Sequence, residues 1–487
     1  MFSRIRALPY KWLVAIVFVS GLFMDLLDST IVNVALPTLG RQFNADNTTL
    51  EWVVTGYLLS LAVWIPASGW LGDRFGTKKI FLFALAMFTL GSALCGLAWS
   101  VESLIAFRVL QGVGGGMLTP VGTAMLFRAF SPRERAQASA VLTIPIAIAP
   151  TIGPVLGGFL VDYASWRWIF YVNLPLGILA FCFALAVLKE HTEPGVGRFD
   201  LWGFLLSAAG LPLILYALSQ APSKGWGSPE VLGTGAAGVA LLAALVIVET
   251  HVSQPMLALR LFRNRMFRNA NVVSFMITAG LMGVVFLLPL FLQQLRGLSA
   301  LESGLTTFPQ AIGLIAMSRF STRLYPRIGP RRMMAAGMLG NAITTACFLL
   351  VGLGTSLWWI RGVMFLRGMT NSLVFIPVQA SMFSAIDRAD SGRASALSST
   401  NRQVSASVGV AVLATVLADR MSSHLANAGA LAARQAAVIG FHDAFFAAVL
   451  LSIIGIGFAF LVHDEDAVAS MVDQRPKAER GEPALAH

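Results

Sequence analysis

Two carboxylates stand where carboxylates are costly. Asp25 and Asp28 lie three residues apart within the apolar run 12–36, so a helix places them on one face. At the centre of a membrane span a charged side chain costs about 2.5–3.5 kcal/mol on insertion scales, so each is expected to face a cavity or a cation. Arg108, in the run 103–127, is a permanent cation that needs an anion when buried, and the first run offers the nearest carboxylates. Two readings fit: Asp28 takes up the proton, with Asp25 sharing it and protonation weakening the pairing of Asp28 with Arg108, or Asp25 or Asp28 is simply one half of an interhelical ion pair.

Polar side chains elsewhere in apolar runs are candidates for a substrate cavity: Asn33, Gln111, Asn271, Gln293, Arg367, Asn371, Gln379, Asn401, Arg402 and Gln403, with Phe275, Met276, Met282 and Phe286 as apolar lining. Structural contacts between helices are the competing explanation for each. Gln111-Gly112 is echoed by Arg367-Gly368. No GxxxxGK[ST] phosphate loop and no nucleophile beside a base is visible, so neither an ATPase nor another enzyme is expected, and no cofactor. Cys95, Cys182 and Cys347 stand singly without CxxC or His partners, so no metal site or disulfide framework is expected.

The elements that must hold these residues are spans. With 56% hydrophobic and 12% charged residues and a mean hydropathy of +0.73, the chain reads as an all-α polytopic membrane protein. About fourteen apolar runs are expected: 12–36, 50–71, 80–99, 103–127, 139–161, 168–188, 201–220, 230–249, 269–294, 303–324, 333–353, 357–383, 395–418 and 440–462. The net charge of +11 is spread over short loops rather than along a stripe, which argues for topology and against nucleic acid. Lys and Arg crowd the N-terminal segment and every second connection, so both termini are expected in the cytoplasm. The run beginning at Trp12 is too long for a signal-peptide core and is expected to be a retained span.

Between the second and third runs lies Gly69-Trp70-Leu71-Gly72-Asp73-Arg74-Phe75-Gly76-Thr77-Lys78-Lys79. Gly69, Gly72 and Gly76 allow close approach and a turn, and Asp73 and Arg74 can pair or cap helix ends. Leu324 to Arg332 repeats Leu71 to Lys79 in weakened form, as internal repeats of a transporter would. In the fifth run, Pro150, Gly153, Pro154, Gly157 and Gly158 would bend a helix and let a neighbour lie close, suiting a moving interface or a tightly packed kink. Two nearly uncharged runs in the middle look inserted, giving segments 1–188, 189–268 and 269–463, and a polar tail, 464–487, expected to be disordered.

Taken in order, the turn Gly69–Lys79, Leu27-Asp28-Ser29-Thr30-Ile31-Val32-Asn33, Arg108 to Gly112, Gly153-Pro154-Val155-Leu156-Gly157-Gly158, Trp166 to Pro175 and Asn401-Arg402-Gln403 resemble the major facilitator superfamily, in its fourteen-span drug:proton antiporter branch (EmrB/QacA type). The resemblance implies two six-helix bundles plus two extra central helices, alternating access about a midplane cavity, and a bacterial inner membrane. It implies Asp73 and Arg74 in a cytoplasmic gate, Arg108 in a proton relay, and Gly153 to Gly158 as the antiporter element. Partners would be protons, a small-molecule substrate and the lipid bilayer; a periplasmic adaptor is not legible. Asp25, Pro326 and Arg367 depart from the branch's pattern. Export of amphiphilic drugs stands first, against export of an organic anion or metal chelate and against a membrane sensor without flux.

Overall fold

The computed structural model describes residues 8–252, 255–384, 386–426 and 433–471. In lipid every backbone N–H and C=O must be satisfied within its own segment, and continuous helix does that. The first half runs α1 (Tyr10–Phe43), α2 (Asn47–Phe75), α3 (Thr77–Gly96), α4 (Val101–Ala129) and α5 (Arg135–Tyr163). Its sixth span is broken at Val172 into α6 (Trp168–Tyr171) and α7 (Asn173–Val187). Then come α8 (Leu201–Lys224) and α9 (Pro229–His251). The second half holds α10 (Arg265–Leu290), α11 (Ala300–Thr307), α12 (Pro309–Ile328), α13 (Pro330–Ala346), α14 (Leu357–Met382), α15 (Ser391–Ala426) and α16 (Ala433–Phe460). A last turn, α17 (Val468–Met471), ends the described chain, which contains no strand.

Twelve of the described helices are long and apolar enough to cross a membrane. Two more of the expected runs form α12 and α14, of 20 and 26 residues. They are long enough to span but are diluted by Arg319, Arg323, Arg361 and Arg367.

Both halves follow one plan. In the first, α2 lies along α4, α1 along α5, and α3 packs on α4 and α7; in the second, α12 lies along α14, α10 along α15, and α13 packs on α14 and α16. The halves meet through α2 and α4 against α15, and through α5 against α12 and α14. The central pair α8 and α9 pack on each other, with α8 also touching α2 and α15. It therefore lies beside the seam between halves.

Each half turns from its second to its third span at a glycine of positive φ, Gly76 at +106° and Gly329 at +86°, a conformation glycine adopts without penalty. Each following helix is then capped by a carboxylate arriving from after the half's last span. Glu190 Oε1 accepts from the Lys78 N–H at 3.0 Å, and Asp464 Oδ1 accepts from the Arg331 N–H at 2.9 Å.

This corrects the expectation of a disordered tail from residue 464. Asp464–Ala467 forms a 3₁₀ turn running into α17. Asp466 pairs with Arg265 at 2.7 Å, and Ser470 shares a 2.7 Å hydrogen bond with the buried Tyr325 hydroxyl. Polar composition suggested disorder, but these polar groups are used as caps and ion pairs. Residues 472–487 lie outside the described part.

Candidate functional site

A cavity of about 480 Å³ sits between the two halves, lined by α1, α2, α4, α5 and α8 on one side and α10, α12, α14 and α15 on the other. Its walls are mostly apolar, with Leu22, Leu61, Ile146, Leu281 and Phe375 among them. Two ionic side chains face it, Asp25 from α1 and Arg402 from α15. Asp25 is held by the Tyr57 hydroxyl, which donates to Oδ1 at 2.6 Å, and by the Thr119 hydroxyl, which donates to Oδ2 at 3.3 Å. Arg402 donates to Ser399 Oγ at 3.2 Å and makes no ion pair among the described residues.

Asp28 takes a different place. It is fully buried, outside the cavity lining, and its Oδ2 accepts from Arg108 Nη1 at 2.5 Å, the guanidinium being 1% exposed. Gln111 and Asn173 donate their amides to Asp28 Oδ1 at 2.9 and 3.1 Å, and Arg108 also reaches Gln111 Oε1 at 2.8 Å and the Val53 carbonyl at 3.1 Å. A buried ion pair persists when its remaining donors and lone pairs are satisfied in this way. The two carboxylates are linked through Tyr57, whose ring centroid lies 4.0 Å from the Arg108 guanidinium carbon while its hydroxyl holds Asp25.

Of the other cavity candidates, Gln379, Gln403 and Met282 line the space together with Arg402. The rest are corrected. Asn33 is exposed and donates back to the Ser29 carbonyl. Gln111 belongs to the Asp28 network. Asn271 is buried against the Phe267 carbonyl. Gln293 is exposed in the π-turn Phe291–Leu295 that extends α10. Phe275, Met276 and Phe286 are not in the lining, and Asn401 instead donates to the Asn271 carbonyl at 3.0 Å. Arg367 and Asn371 are buried on α14; Arg367 donates to the Gly280 carbonyl at 3.2 Å, while its Nε and Nη1 and both Asn371 amide atoms have no partner among the described residues. Nothing in the structure explains those four free atoms. Ser29, Thr119, Ser274 and Thr278 also line the space; hydroxyls are common in spans, and no sequence signal sets those four apart.

The face carrying the Gly69–Lys79 turn, here the basic face, is shut. A Cβ on Gly69 would meet the Gly392 carbonyl at 2.8 Å, so only glycine lets α2 and α15 approach this closely. Asp73 pairs with Arg128 at 2.7 Å, and Gly72 packs near Thr77. The sequence had offered Arg74 as partner, but Arg74 is exposed and makes no ion pair among the described residues. Arg128 reaches across to the Arg388 carbonyl, Arg135 to the Phe383 carbonyl, and the rings of Phe127 and Phe383 stack with centroids 4.4 Å apart. On α5, Gly153 and Gly157 face Thr30 and Ile31 of α1, and Gly158 faces Val34. Pro150 lies in the same continuous helix, as does Pro154, whose side chain is outside the described part. The opposite flank of α5 packs Ala147 and Ile148 against Ala311 and Leu314 of α12.

Residues 18–410 match the family model described as Major Facilitator Superfamily. The chain belongs to that superfamily. As one of its members it is a multi-pass membrane transport protein that acts on small molecules, not an enzyme. It is 37% identical over 402 residues to a protein of Serratia proteamaculans named "Putative multidrug resistance protein MdtD", covering 82% of this chain and 83% of the relative. It is 34% identical to the "Uncharacterized MFS-type transporter YhcA" of Bacillus subtilis, over 84% of this chain and 77% of the relative. Among solved structures, the crystal structure of the human organic anion transporter MFSD10 (TETRAN) superposes with a TM-score of 0.63 at 19% identity, covering 91% of this facilitator and all of that chain. At that identity the likeness concerns the fold.

Proposed function

We propose that this facilitator is a proton-coupled antiporter of the fourteen-span branch that exports amphiphilic drugs by alternating access. Relatives named as putative multidrug resistance proteins support the drug reading. The Lys and Arg of the N-terminal segment and of alternate connections support a cytoplasmic location for the basic face and both termini, in a bacterial inner membrane.

The observation that carries coupling is Asp25, a carboxylate on the wall of an otherwise apolar cavity between two bundles. Asp25 exchanges the proton with the cavity. The sealed Asp28–Arg108 pair senses that exchange through Tyr57, whose hydroxyl holds Asp25 and whose ring lies against Arg108. Proton and substrate then compete for Asp25, and each biases the two access states only by its differential affinity for them. The gate is the set of contacts around Gly69, Gly72, Asp73 and Gly76, and the glycine face of α5 lets α1 and α5 move as one unit.

Protein in liposomes enclosing a pH dye tests this. Adding tetraphenylphosphonium under an imposed pH gradient is expected to trigger proton movement that Asp25→Asn abolishes. Normal flux in a folded Asp25→Asn protein would remove Asp25 as the proton's site.

A further inference from the structure

The charges on the cavity wall are divided between the bundles. The N-terminal half contributes Asp25 and the C-terminal half Arg402, and no other ionic side chain among the described residues lines the space. Neither is neutralised by an ion pair among the described residues. Asp25 is met by hydroxyls from Tyr57 on α2 and Thr119 on α4, with Asp28 a turn away on its own helix, and Arg402 faces it from α15. Arg402 feels Asp25 electrostatically, and its one side-chain hydrogen bond among the described residues goes to Ser399. Ser274, Gln379 and Gln403 also line the space, and their side chains are neutral and able to donate.

A pure cation would satisfy Asp25 and be repelled by Arg402. A pure anion would satisfy Arg402 and be repelled by Asp25, so a proton on Asp25 would assist its binding. That linkage moves proton and substrate together and is the opposite of exchange. A molecule carrying both charges resolves the conflict: its ammonium displaces the proton from Asp25, and its carboxylate meets Arg402, a donor geometry suited to carboxylates.

We infer that the preferred substrate is a zwitterionic amphiphile spanning the two bundles, its cationic group on Asp25, its anionic group on Arg402, and an apolar body between. The inference rests on the antiport reading above. Such a ligand bridges the halves across the seam that alternating access must reorganise.

The test uses one scaffold in three charge forms at neutral pH: the zwitterionic quinolone ciprofloxacin, its cationic methyl ester and its anionic N-acetyl derivative, each titrated into purified full-length protein in lipid nanodiscs. The zwitterion is expected to bind about 10-fold more tightly than either derivative, within the range of a single ionic contact in a partly desolvated site. Asp25→Asn should weaken zwitterion and ester while sparing the N-acetyl form. Arg402→Gln should weaken zwitterion and N-acetyl form while sparing the ester, and Arg402→Lys, which keeps the charge, should restore most of the loss. Thermal melts of each variant separate misfolding from lost contacts. An ester that binds more tightly than the zwitterion, or an Arg402→Gln change that weakens all three alike, overturns the assignment. In dye-loaded liposomes, proton flux with tetraphenylphosphonium but none with ciprofloxacin would sink the zwitterion and leave antiport standing. Silence with all four compounds in verified, folded protein would remove antiport and this inference with it.

Discussion

Asp25 and Asp28 show how finely a helix sorts neighbouring residues. Three positions advance a helix by about 300°, leaving the side chains roughly 60° apart around its axis, and that difference separates a cavity wall from a sealed core. Asp28 lost its water and gained Arg108, Gln111 and Asn173. Truncating Arg108 to Ala therefore strands a buried charge, and a destabilisation of about 3–5 kcal/mol is expected, read as a lowered melting temperature in detergent; pairing it with Asp28→Asn should recover most of the loss. An Arg108→Ala protein that melts like the native one would show that the pair contributes little. Tyr57→Phe, which removes the hydroxyl donated to the Asp25 carboxylate, should cost about 1.5–3 kcal/mol, yet reduce substrate-triggered proton flux well beyond any loss of folded protein. The carboxylates and Arg108 were legible in the sequence because charges stand out in apolar runs. Tyr57, Thr119 and Asn173 were not, since a hydroxyl or amide in a span looks the same whether it serves a carboxylate or its own helix.

Elements repeat more faithfully than residues. The turn at Gly76 was evident and its copy at Gly329 was recognisable through basic residues and glycine, but the matching caps were hidden because Glu190 and Asp464 lie far along the chain from the helices they cap. Pro326 replaces the acid of the first turn without breaking α12, since it falls near the helix end. The first half's linker and the second half's tail thus do one job, which is why the chain stays ordered past its last span. Asp464→Ala and Glu190→Ala should each cost about 1 kcal/mol, the usual value of an N-terminal cap. Amide exchange should rise selectively at Arg331 in the first variant and Lys78 in the second. Unchanged exchange at both amides would mean the carboxylates are incidental neighbours. Fourteen spans were expected from apolar runs, and α12 and α14 are the least obvious because their arginines dilute them. Those helices lie against α5 and α10, within protein as well as lipid, so hydropathy alone undercounts them.

At the scale of the whole molecule, two similar bundles meeting along one seam are built to rock against each other. Pairing inside each bundle was not legible in the sequence, because which helices touch depends on faces that composition does not order. The basic face is closed by contacts that cross the seam, and Phe127 against Phe383 is the most compact of them, with centroids 4.4 Å apart. Phe348 and Phe445 stack at 5.2 Å inside the C-terminal half alone. In a background with Cys95, Cys182 and Cys347 replaced, a Phe127→Cys/Phe383→Cys pair, once oxidised, should hold the basic face shut and stop transport, with activity returning on reduction. A Phe348→Cys/Phe445→Cys pair should cross-link as readily and leave transport near its reduced level, because it ties together parts that move as one body. Transport surviving the first cross-link would mean that the two halves need not separate at this face. Loss of transport in both would mean that the C-terminal half itself deforms during the cycle, and the rigid-bundle description would give way.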